Sequence, residues 1–182
     1  MFLLILGVIL WWAAHLWKRA APGNRAAFGD QGKMIVTGTL IVSIILMVWG
    51  YRVADGPVWW GPSPALTGIN NLLVLLGFYL FAAAGMKTRI TRHIRHPQLT
   101  GFALWAFAHL LVNGDLPSLA LFGGLLAWAL LEMAVLNRAE PDWTPAHPAP
   151  FRKEGMAIVG TLLVFGVVAL IHTWLGYNPF GA

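Results

Sequence analysis

Six long apolar stretches, separated by short polar or proline-rich connections, set the pattern of hydrophobic and polar positions along this chain. Most approach the roughly 20 residues that an α-helix needs to cross the hydrocarbon core of a membrane. The fourth has about 15 residues and would rise roughly 23 Å, so it either begins deeper than Pro97 or lies half-buried inside the bundle. The pattern predicts an all-α integral membrane protein, a single transmembrane domain over residues 1–182 with about six transmembrane helices, at approximately 2–17, 34–53, 67–86, 98–112, 117–136 and 156–175.

The composition agrees with a protein that is surrounded by lipid. Of the 182 residues, 58% are hydrophobic and only 10% are charged, whereas about 25% are charged in ordinary soluble domains. So few polar side chains cannot cover a water-soluble fold, and lipid must cover much of the surface. Trp11 and Trp12 are among the eight tryptophans expected near helix ends or in loops, where indole rings favour the membrane–water boundary. Trp105 and Trp128 fall inside helices.

The basic residues predict the orientation in the membrane. Eleven of the twelve lysines and arginines lie in three alternate connections, 18–33, 87–97 and 137–155, and only Arg52 lies elsewhere. Alternate connections share one side, and the positive-inside rule assigns that side to the cytoplasm. We therefore expect a multi-pass protein of a bacterial inner membrane with both termini periplasmic. Nucleic acid is not expected as a partner, because the basic residues sit in short loops and form no recognition stripe.

Ionisable side chains inside the predicted helices are the candidate functional residues, because they are costly in lipid. His109 lies in the row Gly101–Trp105–His109 on one face of the fourth helix. Its imidazole could ligate haem iron or hydrogen-bond between helices. His15 either snorkels toward the nearby basic residues or ligates with a histidine of a facing helix. Because the chain has no cysteine, a porphyrin held by two histidines is favoured over zinc.

Glu132, near the end of the fifth stretch, also has two interpretations. It either pairs with a rim arginine such as Arg138 or Arg92, or it carries protons or contacts a substrate. The basic run Lys87–His96 would attract anionic lipid headgroups or a phosphorylated substrate, although topology alone also explains it.

A longer string of residues carries a family resemblance. It begins Arg95-His96-Pro97-Gln98-Leu99-Thr100-Gly101, and it continues through Trp105 and His109 to Asn113-Gly114-Asp115. In this pattern, R-H-P-x-L-x-G…W-A-x-x-H-L-x-x-N-G-D, the chain resembles the NnrU family. Members are bacterial membrane proteins associated with denitrification and nitric oxide metabolism.

The NnrU family is in turn similar to zeta-carotene isomerase, a membrane protein that uses haem b to isomerise a cis double bond when the iron is reduced. The resemblance implies axial ligands at His15 and His109. This chain has Ala106 where the isomerase has a cysteine, which excludes a ligand switch through that thiol. Counted from the predicted helix ends, His15 and His109 differ in depth by roughly 10 Å, so one haem held by both would have to tilt.

The R-H-P turn also resembles that of integral membrane methyltransferases acting on isoprenylcysteine or phospholipid. In them this turn and a downstream glutamate bind S-adenosylmethionine, roles that would fall to His96 and Glu132 here. Those enzymes carry tyrosine where this chain has Leu99 and a Glu-Glu pair where it has Leu131-Glu132. A third hypothesis is a non-catalytic bundle that scaffolds or assembles a denitrification complex.

The favoured hypothesis is a haem b-binding membrane protein of the NnrU type. Its role would be redox-linked, in nitrogen-oxide metabolism or in isomerisation of a lipophilic substrate, so an enzyme would be an oxidoreductase or isomerase. The expected partners are membrane lipid and either a lipophilic substrate or nitric oxide. The metal ligands would be His15 and His109, and the candidate cofactor-binding residues are His15, His109, Trp105, Arg95, His96 and Glu132.

Overall fold

The structure is a computed structural model that describes residues 1–145, 147 and 149–181. Its helices, numbered along the chain, are α1 (Phe2–Ala20), α2 (Pro22–Ala27), α3 (Gln31–Val53), α4 (Pro64–Met86), α5 (Pro97–Val112), α6 (Leu116–Ala139) and α7 (Phe151–Trp174), with a 3₁₀ turn at Arg89–Arg92. Across these described residues the only β pairing is an isolated bridge between Val58 and Asp115. The prediction of an all-α protein is confirmed.

Five of the helices in the described part of the chain are long and apolar enough to cross a membrane: α1, α3, α4, α6 and α7. Much of their apolar surface faces outward, which water would not tolerate but lipid does. The outward face of α7 includes Ile158, Val159, Leu162, Leu163, Val167 and Leu170. These faces support a membrane protein, as the composition predicted.

The helices pack mainly as antiparallel neighbours. The pairs in contact are α1 with α3, α4 with α5, α5 with α6 and α4 with α7, and α1 also contacts α6. Contacts between the connections bring the three predicted basic segments together, because Arg19 pairs with Glu140 and the Ala149 amide donates to the Lys87 carbonyl. We call this the basic end. We call the other end of the bundle the opposite end. There the Asn71 side-chain amide donates to the Pro179 carbonyl.

Helix α5 is the short helix that the sequence predicted. It begins at Pro97 and has 16 residues, and it is packed between α4 and α6. Ala106 and Ala108 are fully buried. Gly77 of α4 and Gly101 of α5 meet backbone to backbone, since a Cβ atom on Gly101 would lie 2.6 Å from the Gly77 carbonyl oxygen. Small residues at this crossing let the two helices approach closely, so α5 is the helix tucked inside the bundle.

Two features differ from the sequence-based expectations. The connection 18–33 contains a short helix, α2, whose first residue is Pro22, a favoured residue at that position. Trp11 and Trp12 lie in the middle of α1 and not at its end. The Trp12 indole N–H donates to the Gly124 carbonyl of α6 at 3.0 Å. The prediction that these two tryptophans lie near a helix end is therefore wrong. Trp12 instead links α1 to α6 through its indole hydrogen bond.

Candidate functional site

His109 lies near the opposite end of the bundle, between α5 and α6. Its Nδ1 lies 2.9 Å from the Trp105 carbonyl oxygen, and because a carbonyl only accepts, Nδ1 carries the proton. In the neutral ring the Nε2 lone pair is then free to bind a metal or to accept a hydrogen bond. The ring packs against Trp105 at 5.1 Å and against Phe122 at 4.7 Å between centroids. The imidazole is thus oriented by its own helix and clamped by two aromatic rings.

Phe122 reaches His109 from an irregular part of α6. Residues Leu119–Gly123 form a π-helical segment within the otherwise α-helical span. Such single turns are rare and are frequent at functional sites. Next to it, the Tyr51 hydroxyl lies 2.8 Å from the Ser118 hydroxyl, which in turn bonds Asp115 at 2.7 Å.

The end of the family-like string, Asn113-Gly114-Asp115, has a structural role in the turn between α5 and α6. The Asn113 side-chain amide donates to the His109 carbonyl. The Asp115 carboxylate caps α6 by accepting from the backbone N–H of Ser118 at 2.8 Å. Gly114 has no room for a side chain, because the Trp60 ring covers it. The Trp60 indole donates to the Leu110 carbonyl at 2.8 Å. These residues therefore build the turn that closes the site above His109.

His15 lies on the basic side of an aromatic cluster between α1, α5 and α6. Its Nδ1 is 2.9 Å from the Trp11 carbonyl oxygen, so its Nε2 is free as in His109. Its ring centroid is 4.4 Å from both Trp11 and Trp128. Phe102 packs on Trp11, Trp128 and Trp105 at 5.2 to 5.9 Å. An unbroken column of aromatic rings therefore joins His15 to His109.

The structure does not bring His15 and His109 to one site. Both imidazoles pack on α6: His15 contacts Trp128, and His109 contacts Phe122. Trp128 and Phe122 are six residues apart, which is about 9 Å along the helix axis. The rings of Phe102 and Trp105 fill the space between them. The donor chemistry of each histidine fits haem iron, but one iron bound by both does not fit this packing.

Three buried polar atoms near His15 lack a hydrogen-bond partner: Trp11 Nε1, Trp128 Nε1 and Glu132 Oε2. Glu132 is 9% exposed. In the described part of the chain it pairs with neither Arg138 nor Arg92, so the expected ion pair is not observed. Arg19 pairs with a different carboxylate, that of Glu140, at 3.1 Å.

The R-H-P turn lines a cavity at the basic end. Arg95 donates to the Glu140 carbonyl, and the His96 Nε2 donates to the Asn137 side chain at 2.9 Å. The cavity has a volume of about 390 Å³ and is lined by both residues together with Lys87 and Trp143. Glu132 does not line it, so His96 and Glu132, the two residues that the methyltransferase resemblance implies, do not share this cavity.

His172, near the end of α7, repeats the geometry of the other two histidines. Its Nδ1 lies 2.8 Å from the Val168 carbonyl oxygen. Among the described residues, no three histidine, aspartate or glutamate side chains converge on a common metal position.

A model of the NnrU protein family matches residues 3–179, nearly the whole chain. The chain belongs to the NnrU family. Neither the curated proteins nor the solved structures contain a match to it. The family string of this NnrU protein spans the whole length of α5, from the R-H-P turn at the basic end to the Asn-Gly-Asp turn at the opposite end.

Two aromatic residues near the candidate site, Phe102 and Tyr51, were not predicted from the sequence, because aromatic residues in an apolar helix are ordinary. Phe122 is part of the family resemblance, in Phe122-Gly123, but nothing in the sequence marks the π-helical segment that carries it. A signal was present in Trp128, which lies inside its helix away from the membrane boundary. The structure explains it as the ring that packs on His15.

Proposed function

We propose that this NnrU protein binds haem b within the membrane and that His109 supplies an imidazole to the iron. The observation that carries the proposal is the orientation of His109, whose Nδ1 proton is held by the Trp105 carbonyl while Nε2 stays free. Metal-binding histidines commonly donate the other ring N–H to a backbone carbonyl in this way. The resemblance to a haem b isomerase points to the same residue.

Haem held by His109 would supply one-electron chemistry at iron and could bind a small ligand such as nitric oxide. The protein supplies the apolar setting. Trp105 and Phe122 hold the imidazole, and the turn at 113–115 closes the site at the opposite end. The role that we propose is redox-linked, in nitrogen-oxide metabolism or in the isomerisation of a lipophilic substrate.

His15 enters the proposal as a second imidazole donor that does not share the iron of His109. To reach that iron, α1 would have to slide along α6 by several residues. The slide would break the hydrogen bond between Trp12 and Gly124 and separate His15 from Trp128. Ligation by His109 without His15 is therefore what the packing favours.

A spectroscopic experiment on the full chain in detergent tests this assignment. The reduced-minus-oxidised spectrum and the haem content are recorded for the wild type, His109→Ala, His15→Ala and the control His93→Ala, whose side chain is exposed at the basic end. We expect b-type bands in the wild type, their loss in His109→Ala only, and retention in the other two. A monodisperse elution profile shows that each variant is folded.

Two results would overturn the proposal in different ways. A folded, colourless wild type that also fails to take up added haem would remove the cofactor altogether. Loss of the bands in folded His15→Ala as well as in His109→Ala would replace the single ligand by the pair that the resemblance implies.

The same proposal includes the topology: six membrane-crossing helices in a bacterial inner membrane, with the basic end in the cytoplasm and both termini periplasmic. It is supported by the basic residues, of which eleven out of twelve lie in the three basic-end connections.

A labelling experiment tests this topology. The chain has no cysteine, so single introduced cysteines can report on which side of the membrane each end lies. Gly23 and Gly61 lie at opposite ends with open space around them. With a membrane-impermeant maleimide on intact spheroplasts, we expect labelling of Gly61→Cys and not of Gly23→Cys; the reverse pattern would invert the topology.

A further inference from the structure

The seam between α4 and α5 carries two cavities that follow each other along the same two helices. The first, at the basic end, has a volume of about 390 Å³ and is lined by Ala84 of α4 and Leu99 of α5. The second has a volume of about 170 Å³ and is lined by Phe81 and Phe102. On α4 the lining residues Ala84 and Phe81 are three positions apart, and on α5 so are Leu99 and Phe102. Three residues are about one helical turn, so the second cavity continues the seam where the first ends.

The two cavities differ in chemistry. The first is lined by the cations Lys87 and Arg95 and by the polar side chains of Thr91 and Gln98, with no acidic residue among its lining residues. The second is almost entirely apolar and is lined by Val74, Gly77, Phe78, Phe81, Phe102 and Trp105. A polar, cationic mouth at the membrane boundary therefore leads into an apolar trough within the membrane.

In the part of the chain that the structure describes, no carboxylate forms an ion pair with the cations of the mouth. Within the described residues the ion pairs are Arg19–Glu140 and Lys33–Asp30, so Lys87 and Arg95 belong to neither. Arg95 is oriented by donating to the Glu140 backbone carbonyl, which leaves its charge uncompensated.

The backbone also places Lys87 at the mouth in an unusual conformation. It ends α4 with φ of 58°, in the left-handed region, and is the only residue other than glycine with positive φ among the described residues. A left-handed lysine is uncommon and costs free energy compared with glycine or asparagine at a helix end. The lysine charge therefore comes at a position where glycine would be the ordinary choice.

We propose that the α4–α5 seam binds an anionic amphiphile, with its phosphate or carboxylate head between Lys87 and Arg95 and one apolar chain in the trough. Charge complementarity selects the head, and the volume of the trough, about 170 Å³, limits it to a single chain. The trough ends at Trp105, the residue whose carbonyl orients His109. The proposal does not depend on haem, because every residue in it belongs to the seam.

Binding is tested on the full chain in uncharged detergent, by the shift in unfolding temperature that a bound ligand produces. Three probes separate the possible sources of the chemistry: dodecyl phosphate, dodecylphosphocholine with the same chain and no net charge, and inorganic phosphate with no chain. We expect the unfolding temperature to rise with dodecyl phosphate and to stay unchanged with the other two probes.

Two pairs of variants locate the site. Lys87→Asn removes the cation while keeping a residue that accepts the left-handed conformation, and its control is Lys153→Asn, an exposed lysine of the same end. Phe81→Gln makes the trough polar, and its control is Phe107→Gln on the outer face of α5. We expect apparent affinity to fall about ten-fold in Lys87→Asn, as for loss of one charge-assisted hydrogen bond, and to fall in Phe81→Gln, with both controls unchanged.

Several outcomes would overturn the proposal. An equal rise with dodecylphosphocholine would show a site for any chain, and an equal rise with inorganic phosphate would show a plain anion site. Unchanged affinity in both folded variants, Lys87→Asn and Phe81→Gln, would show that the ligand binds outside the seam. The measurement is made with and without haem, so failure of the haem proposal leaves this result interpretable.

Discussion

The imidazole of His109 and the ring of Phe122 lie 4.7 Å apart between centroids, with their planes inclined by 30°. The two residues come from different helices, α5 and α6, and the contact depends on the π-helical segment that carries Phe122. This contact, together with the contact to Trp105, holds the imidazole of the proposed iron ligand in place.

Replacing Phe122 by alanine should destabilise the protein by about 3 kcal/mol, because it removes a buried aromatic side chain and leaves a cavity. Phe122 is only 7% exposed. Chemical unfolding in detergent, followed by circular dichroism, measures the loss. The control Phe107→Ala removes a ring that is 45% exposed and should cost much less. Equal losses in both variants would contradict the tight packing around His109.

Gly101→Ala should weaken the contact between α4 and α5. The added Cβ would lie 2.6 Å from the Gly77 carbonyl oxygen, so the helices must separate, at a cost of about 1–3 kcal/mol. The unfolding temperature reports the change. Gly160→Ala on α7 is the matched control, since a Cβ atom added there would have nothing within 4 Å of it. A Gly101→Ala protein as stable as Gly160→Ala would mean that the crossing is looser than the structure shows.

Asp115→Ala should destabilise the start of α6 by about 1 kcal/mol, the usual cost of losing an N-cap. Asp115 accepts hydrogen bonds from both the amide and the hydroxyl of Ser118. Amide hydrogen exchange in the first turn of α6 should accelerate along with the loss of stability. Asp55→Ala, an exposed acid of the same end, should leave both measurements unchanged, and protection that survives in Asp115→Ala would argue against the cap.

Glu132→Gln should raise the unfolding temperature. One oxygen of this carboxylate is buried without a partner, and an uncompensated buried charge costs more than a neutral amide of the same shape. The gain should be on the order of 1 kcal/mol. Glu140→Gln, which breaks an exposed pair with Arg19, should lower stability by less than about 1 kcal/mol. A destabilised Glu132→Gln protein would show that the carboxylate has a favourable partner.

The contrast between His109 and His15 shows where sequence reasoning reached its limit. Both were singled out because a histidine is costly inside a lipid-embedded helix, and both have the free Nε2 that a ligand needs. The residues of α6 on which they pack, Trp128 and Phe122, lie about 9 Å apart along the helix axis. That the ring of Phe102 would lie in the gap between the two histidines was not predictable, because a phenylalanine is unremarkable in an apolar helix.

Hydropathy alone was enough to predict a helical membrane protein, the approximate bounds of its long helices and the short length of α5. The reason is that a helix spanning lipid must be apolar and must satisfy its backbone hydrogen bonds within itself. The alternate placement of basic residues likewise predicted that three connections meet at one end. Only the packed bundle decided which faces meet, where α6 turns into a π-helix, and that a cationic mouth and an apolar trough share one seam. Helices such as α3, α4 and α7 are apolar on nearly every side, so their periodicity does not distinguish a lipid-facing surface from a buried one, and close packing of particular side chains makes that choice.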